Sequence, residues 1–152
     1  MSSTSGYLRL MKLAAGFRES KIILAANELD LFTALSEKQL RSDEAAEMIM
    51  VNARAFAIIM DALVAMGFLI KENGFYRNSE AAERFLVKGK PEYKGDLLKF
   101  MNGSWKHWGD LEETIKTGSI SIKPDLPDQS RREYNQVYIR AMDIPNNENI
   151  FP

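Results

Sequence analysis

The dipeptide Asn73-Gly74 constrains this chain more than any other local feature. Both residues tolerate a positive φ, as the two central positions of a type I′ turn require. Short, partly β-favouring runs flank them, Phe68 to Lys71 before and Phe75 to Asn78 after. A small two-stranded hairpin is therefore predicted. Alone in water such a hairpin is marginal, so it must pack on the helices beside it.

What surrounds the hairpin is helical. From Tyr7 the apolar residues Leu10, Met11, Ala14, Ala15, Phe17, Ile22, Ile23, Ala26 and Leu29 recur at spacings of three, four and seven, and Leu31, Phe32 and Leu35 continue as a short apolar turn. Ser42, followed by Asp43 and Glu44, reads as the cap of a helix running to about Met50. Asn52 is the next cap and Gly67 the next stop, with Phe56, Ile59, Met60, Leu63 and Val64 on a helical stripe between them. After the hairpin, Ser79 to Leu86 reads as a helix capped by Asn78 or Ser79 and ended near Gly89 and Pro91. A longer helical region follows from about Glu92 to Thr117, with Gly118 as its stop. Ser119 to Asp128 holds Pro124 and Pro127 and reads as a loop, Glu133 to Met142 as helical, and Pro145 to Pro152 as a ragged tail. Short helices followed by an Asn-Gly hairpin are the order of a winged helix. The fold class expected is mainly α, a winged-helix-like domain with a small two-stranded β-hairpin and extra flanking helices.

Composition narrows the function classes. With 20 Lys plus Arg against 21 Asp plus Glu the net charge is −1, without the positive excess that non-specific nucleic-acid binders use. The chain has no cysteine, hence no disulfide framework, thiolate metal site or cysteine nucleophile. Its start is small and polar rather than basic then apolar, and no apolar run approaches the roughly 18 residues of a membrane span. A soluble, cytoplasmic chain is the expectation.

A winged helix suggests DNA binding, and the segment Asn52 to Met66 tests that idea. It offers Arg54, Asp61 and Asn52 as polar groups, and is otherwise apolar. Such a helix favours burial over a hydrated groove. The wing adds Lys71 and Arg77, with Glu72 offsetting one of them. The opening helices carry Tyr7, Leu8, Leu10, Met11, Leu13 and Phe17 on more than one face, which suggests burial against another chain or domain. A homodimer achieves this with one self-complementary patch.

The stretch Phe100 to Trp108 crowds aromatics, Met101, Asn102 and His107 together. It reads either as a core stripe of Met101, Trp105 and Trp108 or as one wall of a pocket for a flat ligand. His107, the single histidine, is a poor metal ligand without partners. No two of the nine glycines are separated by one residue, so no G-x-G phosphate or cofactor loop exists. Acidic pairs such as Glu112-Glu113 and Asp43-Glu44 read as solvated helix surface. No catalytic residue is assigned.

The ordered series Ala26-x-x-Leu29-x-Leu31-Phe32-x-x-Leu35, Arg54, Asp61-Ala62-Leu63-Val64-x-x-Gly67, the wing Phe68 to Tyr76 and Asn78-Ser79-x-x-Ala82-x-x-Phe85-Leu86 carries a resemblance. It continues through Trp105-x-x-Trp108-x-x-Leu111-x-x-x-Ile115-x-x-Gly118 and Tyr134-Asn135-x-Val137-Tyr138-x-x-x-Met142. The chain resembles the N-terminal dimerisation domain of the S-adenosylmethionine-dependent O-methyltransferases of the plant caffeic-acid and bacterial polyketide-tailoring type.

The resemblance implies a homodimer whose parent enzyme binds the methyl donor and holds its catalytic base in a further domain. No cofactor is expected in this chain, and S-adenosylmethionine is expected for the parent. Met101, Asn102 and Trp105 match positions with which the family helps close the pocket of a small-molecule acceptor. No nucleic-acid or membrane partner is implied. The organisation expected is 1-16 as a dimerisation helix, 17-90 as a winged-helix-like core and 91-152 as a helical extension toward a catalytic domain. A winged-helix DNA-binding transcription regulator is the alternative.

Overall fold

The computed structural model describes residues 3–119 and Ile139. Ten elements follow in chain order: α1 (Ser3–Ala15), α2 (Phe17–Glu28), α3 (Leu31–Ala34), α4 (Ser42–Met48), α5 (Ala53–Ala65), β1 (Leu69–Glu72), β2 (Phe75–Asn78), α6 (Glu80–Phe85), α7 (Gly95–Gly109) and α8 (Leu111–Thr117). They fall into two compact units, Met1–Tyr93 and Lys94–Pro152. The winged-helix order is present in the first unit, and the mainly α expectation holds.

In the first unit α5 is the central column. Phe56, Met60 and Leu63, spaced four and three apart, form one buried stripe that packs among α2, α4 and β1. Leu24 and Ala26 of α2, Leu31 and Phe32 of α3, Ala45 and Ala46 of α4, Leu69 of β1 and Tyr76 of β2 complete this core. Burying each large apolar side chain contributes about 1.5–3 kcal/mol, so the α5 stripe alone is a large share of the unit's cohesion.

Local chemistry sets the ends of α5. Asn52 Oδ1 accepts from the Ala55 N–H at 2.9 Å, satisfying one of the orphan donors at the first turn. At the other end Gly67, at φ 80°, lets the Phe68 N–H reach the Leu63 carbonyl at 2.9 Å and the Gly67 N–H reach that of Val64 at 3.0 Å. This paired closure turns the chain directly into β1. Four residues later Asn73 and Gly74, at φ 51° and 83°, make the turn expected of them, and the strands pair antiparallel from Glu72↔Phe75 to Leu69↔Asn78.

The structure corrects several sequence expectations. The residue that caps α4 is Arg41, not Ser42, and its N–H donates to the Glu44 carboxylate at 2.7 Å from inside the helix. Ser79 rather than Asn78 caps α6, its Oγ accepting from the Ala82 N–H at 3.3 Å. Leu40 exchanges two backbone hydrogen bonds with Tyr76, at 2.8 and 3.1 Å, adding a one-residue bridge to the hairpin's free edge. The region expected as one long helix is two, α7 and α8, broken at Asp110.

Finally, α5 is not buried all round. Ala53, Arg54, Ala55, Ile58, Asp61 and Ala65 are exposed, because much of its apolar content is alanine, which gains little from burial. The expectations for Ser119 to Asp128, Glu133 to Met142 and Pro145 to Pro152 lie outside the described residues, apart from Ser119 and Ile139.

This asymmetry of α5 has a measurable consequence. Met60→Ala is expected to lose about 2–5 kcal/mol in urea unfolding, whereas Ile58→Ala stays within about 0.5 kcal/mol of the parent. Equal losses at the two positions would contradict the packing described.

Candidate functional site

In the first unit every residue from Thr4 to Ala14 is exposed. Tyr7, Leu8, Leu10, Met11, Leu13 and, at the head of α2, Phe17 are between 47% and 71% exposed. A 13-residue helix is marginal on its own in water. So many large apolar side chains, on α1 and the head of α2, leave a broad uncovered apolar surface on this unit.

The wing, by contrast, is tied down. Asp61 on the outer face of α5 accepts from the Tyr76 Oη and from the Lys71 Nζ, each at 2.7 Å, and Lys71 lies 4.7 Å from the centre of the Tyr76 ring. These hydrogen bonds from Lys71 and Tyr76 hold the Asp61 carboxyl below its ordinary value of 3.8, against a smaller opposing effect of burial. Arg77, the wing's other cation, pairs with Glu72 at 3.2 Å. Both wing cations, Lys71 and Arg77, are therefore paired with carboxylates of the same protein.

Behind the wing Glu83 gathers three elements. Its carboxylate accepts from Ser36 Oγ at 2.9 Å, from Asn78 Nδ2 at 2.8 Å and from Lys90 Nζ at 3.0 Å. Asn78 also donates to the Phe32 carbonyl at 2.8 Å, linking β2 to α3. Burial pushes the Glu83 pKa up, but the hydrogen bonds from Asn78, Lys90 and Ser36 together hold it below its ordinary 4.5. A cleft of about 380 Å³ opens beside this network, between the α3–α4 loop and β2. Sequence reasoning missed both hubs, since their bonded members lie 5 to 47 residues apart in the chain and follow no periodicity.

In the second unit the three expected site residues share one face of α7. Met101 and Trp105 are four apart and Asn102 and Trp105 three apart, spacings that place them side by side on a helix. Met101 is exposed, Asn102 and Trp105 are half-buried, and Trp108 one turn on is exposed. None of the three lines the cleft beside Glu83. His107 is exposed, and among the described residues no group of three or more His, Asp or Glu is placed to hold a metal ion.

The sequence pattern of the O-methyltransferase dimerisation domain matches residues 11–88, which run from the end of α1 through α6 and include the wing. The chain belongs to that family. Among its relatives, the tetracenomycin polyketide synthesis 8-O-methyl transferase TcmO of Streptomyces glaucescens is 37% identical over 115 residues, covering 74% of this chain and 34% of the relative. An O-methyltransferase family protein from Burkholderia thailandensis superposes with a TM-score of 0.75 at 25% identity, over 93% of this chain and 42% of its own. Human N-acetylserotonin methyltransferase, solved in complex with SAM, has the same fold, with a TM-score of 0.74 at 23% identity over 93% and 46%.

This dimerisation domain thus spans about a third of the length of TcmO. Membership of the family implies self-association. Human N-acetylserotonin methyltransferase was solved with SAM, but the residues described here do not fit such a donor. The cleft is lined chiefly by charged and amide side chains with no aromatic wall for an adenine, and the sequence has no G-x-G loop.

The two carboxylate hubs predict the acid limb of stability. A carboxyl held below its ordinary pKa in the fold contributes stability that is complete above that value and is lost as protonation sets in. Stability should therefore fall as the pH drops from about 5 toward 3. Glu83→Gln, read by urea midpoints across this range, should flatten that slope and leave the Asp61 part of it. An unchanged slope in Glu83→Gln would contradict the network.

Proposed function

We propose that this chain is the N-terminal dimerisation portion of an S-adenosylmethionine-dependent small-molecule O-methyltransferase and forms a homodimer through its opening helices. The observation that carries the reading is the exposed α1, whose large apolar side chains are left about half or more open to water in a single protomer, in a chain of the dimerisation family. One two-fold axis would bury the same patch twice. Residues 1-16 are then the dimerisation helix, 17-90 the winged-helix-like core and 91-152 the extension that reaches toward a catalytic domain.

In this reading Met101, Asn102 and Trp105 on α7 form part of the acceptor pocket of the whole enzyme. A ring and a thioether supply apolar area, and the Asn102 amide orients a polar group of the acceptor. An aromatic hydroxyl compound fits such a wall, and the polyketide named for TcmO points the same way. The donor and the general base belong to the further domain, so this chain's share of catalysis is positioning. A cytoplasmic setting, consistent with a chain without cysteine, belongs to the same proposal.

No observation favours the regulator alternative. Its wing cations are paired to Asp61 and Glu72, and the net charge is −1. Sedimentation of the wild type should give a dimer, and Leu10→Glu and Met11→Glu should each give monomer or aggregate. Clean dimers from both variants would remove the opening helices from the interface. Tight, strongly salt-dependent binding of duplex DNA in gel shifts would defeat the proposal as a whole.

A further inference from the structure

The apolar part of α1 is wider than one neighbouring helix can hide. At 3.6 residues per turn, Tyr7, Leu8, Leu10, Met11, Leu13 and Ala14 sweep about 220° of its circumference. The rest of the turn holds Arg9 and Lys12, one toward each edge of the apolar arc, and α1 carries no acidic residue. A stripe that packs on a single neighbour spans roughly 100°. A two-fold contact between two copies of α1 therefore leaves part of the arc open, and it brings like charges together.

The second unit holds a surface of the opposite charge. On α8 Leu111 and Ile115 lie four apart, on one face, and are 44% and 74% exposed. Trp108, three residues before Leu111, is 71% exposed. Asp110, Glu112 and Glu113 stand among these apolar groups, and Glu112 is paired with Lys116 at 2.7 Å. Asp110 and Glu113 make no ion pair among the described residues, and neither do Arg9 and Lys12. A second α8 is a poor cover for this face, since acid would meet acid, and a nucleic-acid or anionic lipid surface is repelled in the same way. The basic, broadly apolar α1 complements it in both shape of surface and charge.

We propose that each α1 of the homodimer docks on the second copy over Leu111, Ile115 and Trp108, with Arg9 and Lys12 set against Asp110 and Glu113. This contact rests on the homodimer reading and gives it the second surface that α1 requires. One two-fold axis makes the contact twice, since the α1 of each copy meets the α8 of the other.

Two charge-reversed chains test it, one with Arg9→Glu and Lys12→Glu, the other with Asp110→Lys and Glu113→Lys. All four sites are exposed or half-buried and unpaired in the protomer, so each variant should keep the wild-type circular dichroism. By sedimentation each variant alone should dimerise at least about tenfold more weakly than the wild type. An equimolar mixture of the two should regain the wild-type dimer Kd to within about threefold, because both contacts of the mixed dimer again join opposite charges. A contact made within one chain gives no such rescue. Ile115→Ala, at an exposed position where alanine is the better helix former, leaves the protomer folded and should weaken the dimer at least about tenfold. A wild type that stays monomeric would remove the homodimer and this contact together. A wild-type dimer that Ile115→Ala or the charge reversals leave unweakened, or a mixture without rescue, would overturn the α8 contact and leave the homodimer standing.

Discussion

The first unit depends on the burial of a single stripe, Phe56, Met60 and Leu63, along one side of α5. Those three side chains give α2, α4 and β1 a common surface, and the closure at Gly67 aims the chain so that the wing follows without a loop. Asp61, on the opposite side of the same helix, then accepts from Tyr76 and Lys71, so α5 holds the hairpin by its apolar face and by its polar one. A hairpin of four-residue strands would not persist alone. Here it is fixed by the buried Leu69 and Tyr76, by the bridge to Leu40 and by the Asp61 acceptor.

A winged helix held this way has little left with which to contact DNA. In a duplex reader the cations of the wing and of the helix before it point outward to phosphates. Here Lys71 and Arg77 are engaged by carboxylates of α5 and β1, and the outer face of α5 offers alanines, Ile58 and Arg54. The unsatisfied surface is instead the apolar one on α1. Uncovered apolar area of this kind favours association, and symmetry makes a second copy the simplest cover. The same scaffold thus serves assembly, with fold and function separable at the level of a few surface side chains.

How much of this was legible follows from how local each signal is. Asn73-Gly74, Asn52 and Gly67 were readable because each satisfies a backbone requirement within four residues of itself. The Arg41 cap was hidden because the stabilising group is the Glu44 side chain reaching back from the first turn, while Ser42 offered the more familiar cap chemistry. The break at Asp110 was hidden because the stripe Trp105, Trp108, Leu111, Ile115 runs through it at helical spacing. Glu83 and Asn78 were invisible as a hub, since Ser36 and Phe32 lie more than 40 residues away in sequence. For the candidate site, spacing sufficed to put Met101, Asn102 and Trp105 on one helical face; the resemblance alone suggested what that face meets.

The claim on which the account turns is that α1 is covered by a second copy of the chain. Hydrogen–deuterium exchange of the α1 amides as a function of protein concentration addresses it directly, because protection that comes from association grows with concentration. The account predicts that residues 7–15 exchange like a fraying helix in dilute solution and become protected in step with dimer formation. Fast exchange of this segment at every concentration, including those at which the chain sediments as a dimer, would contradict it.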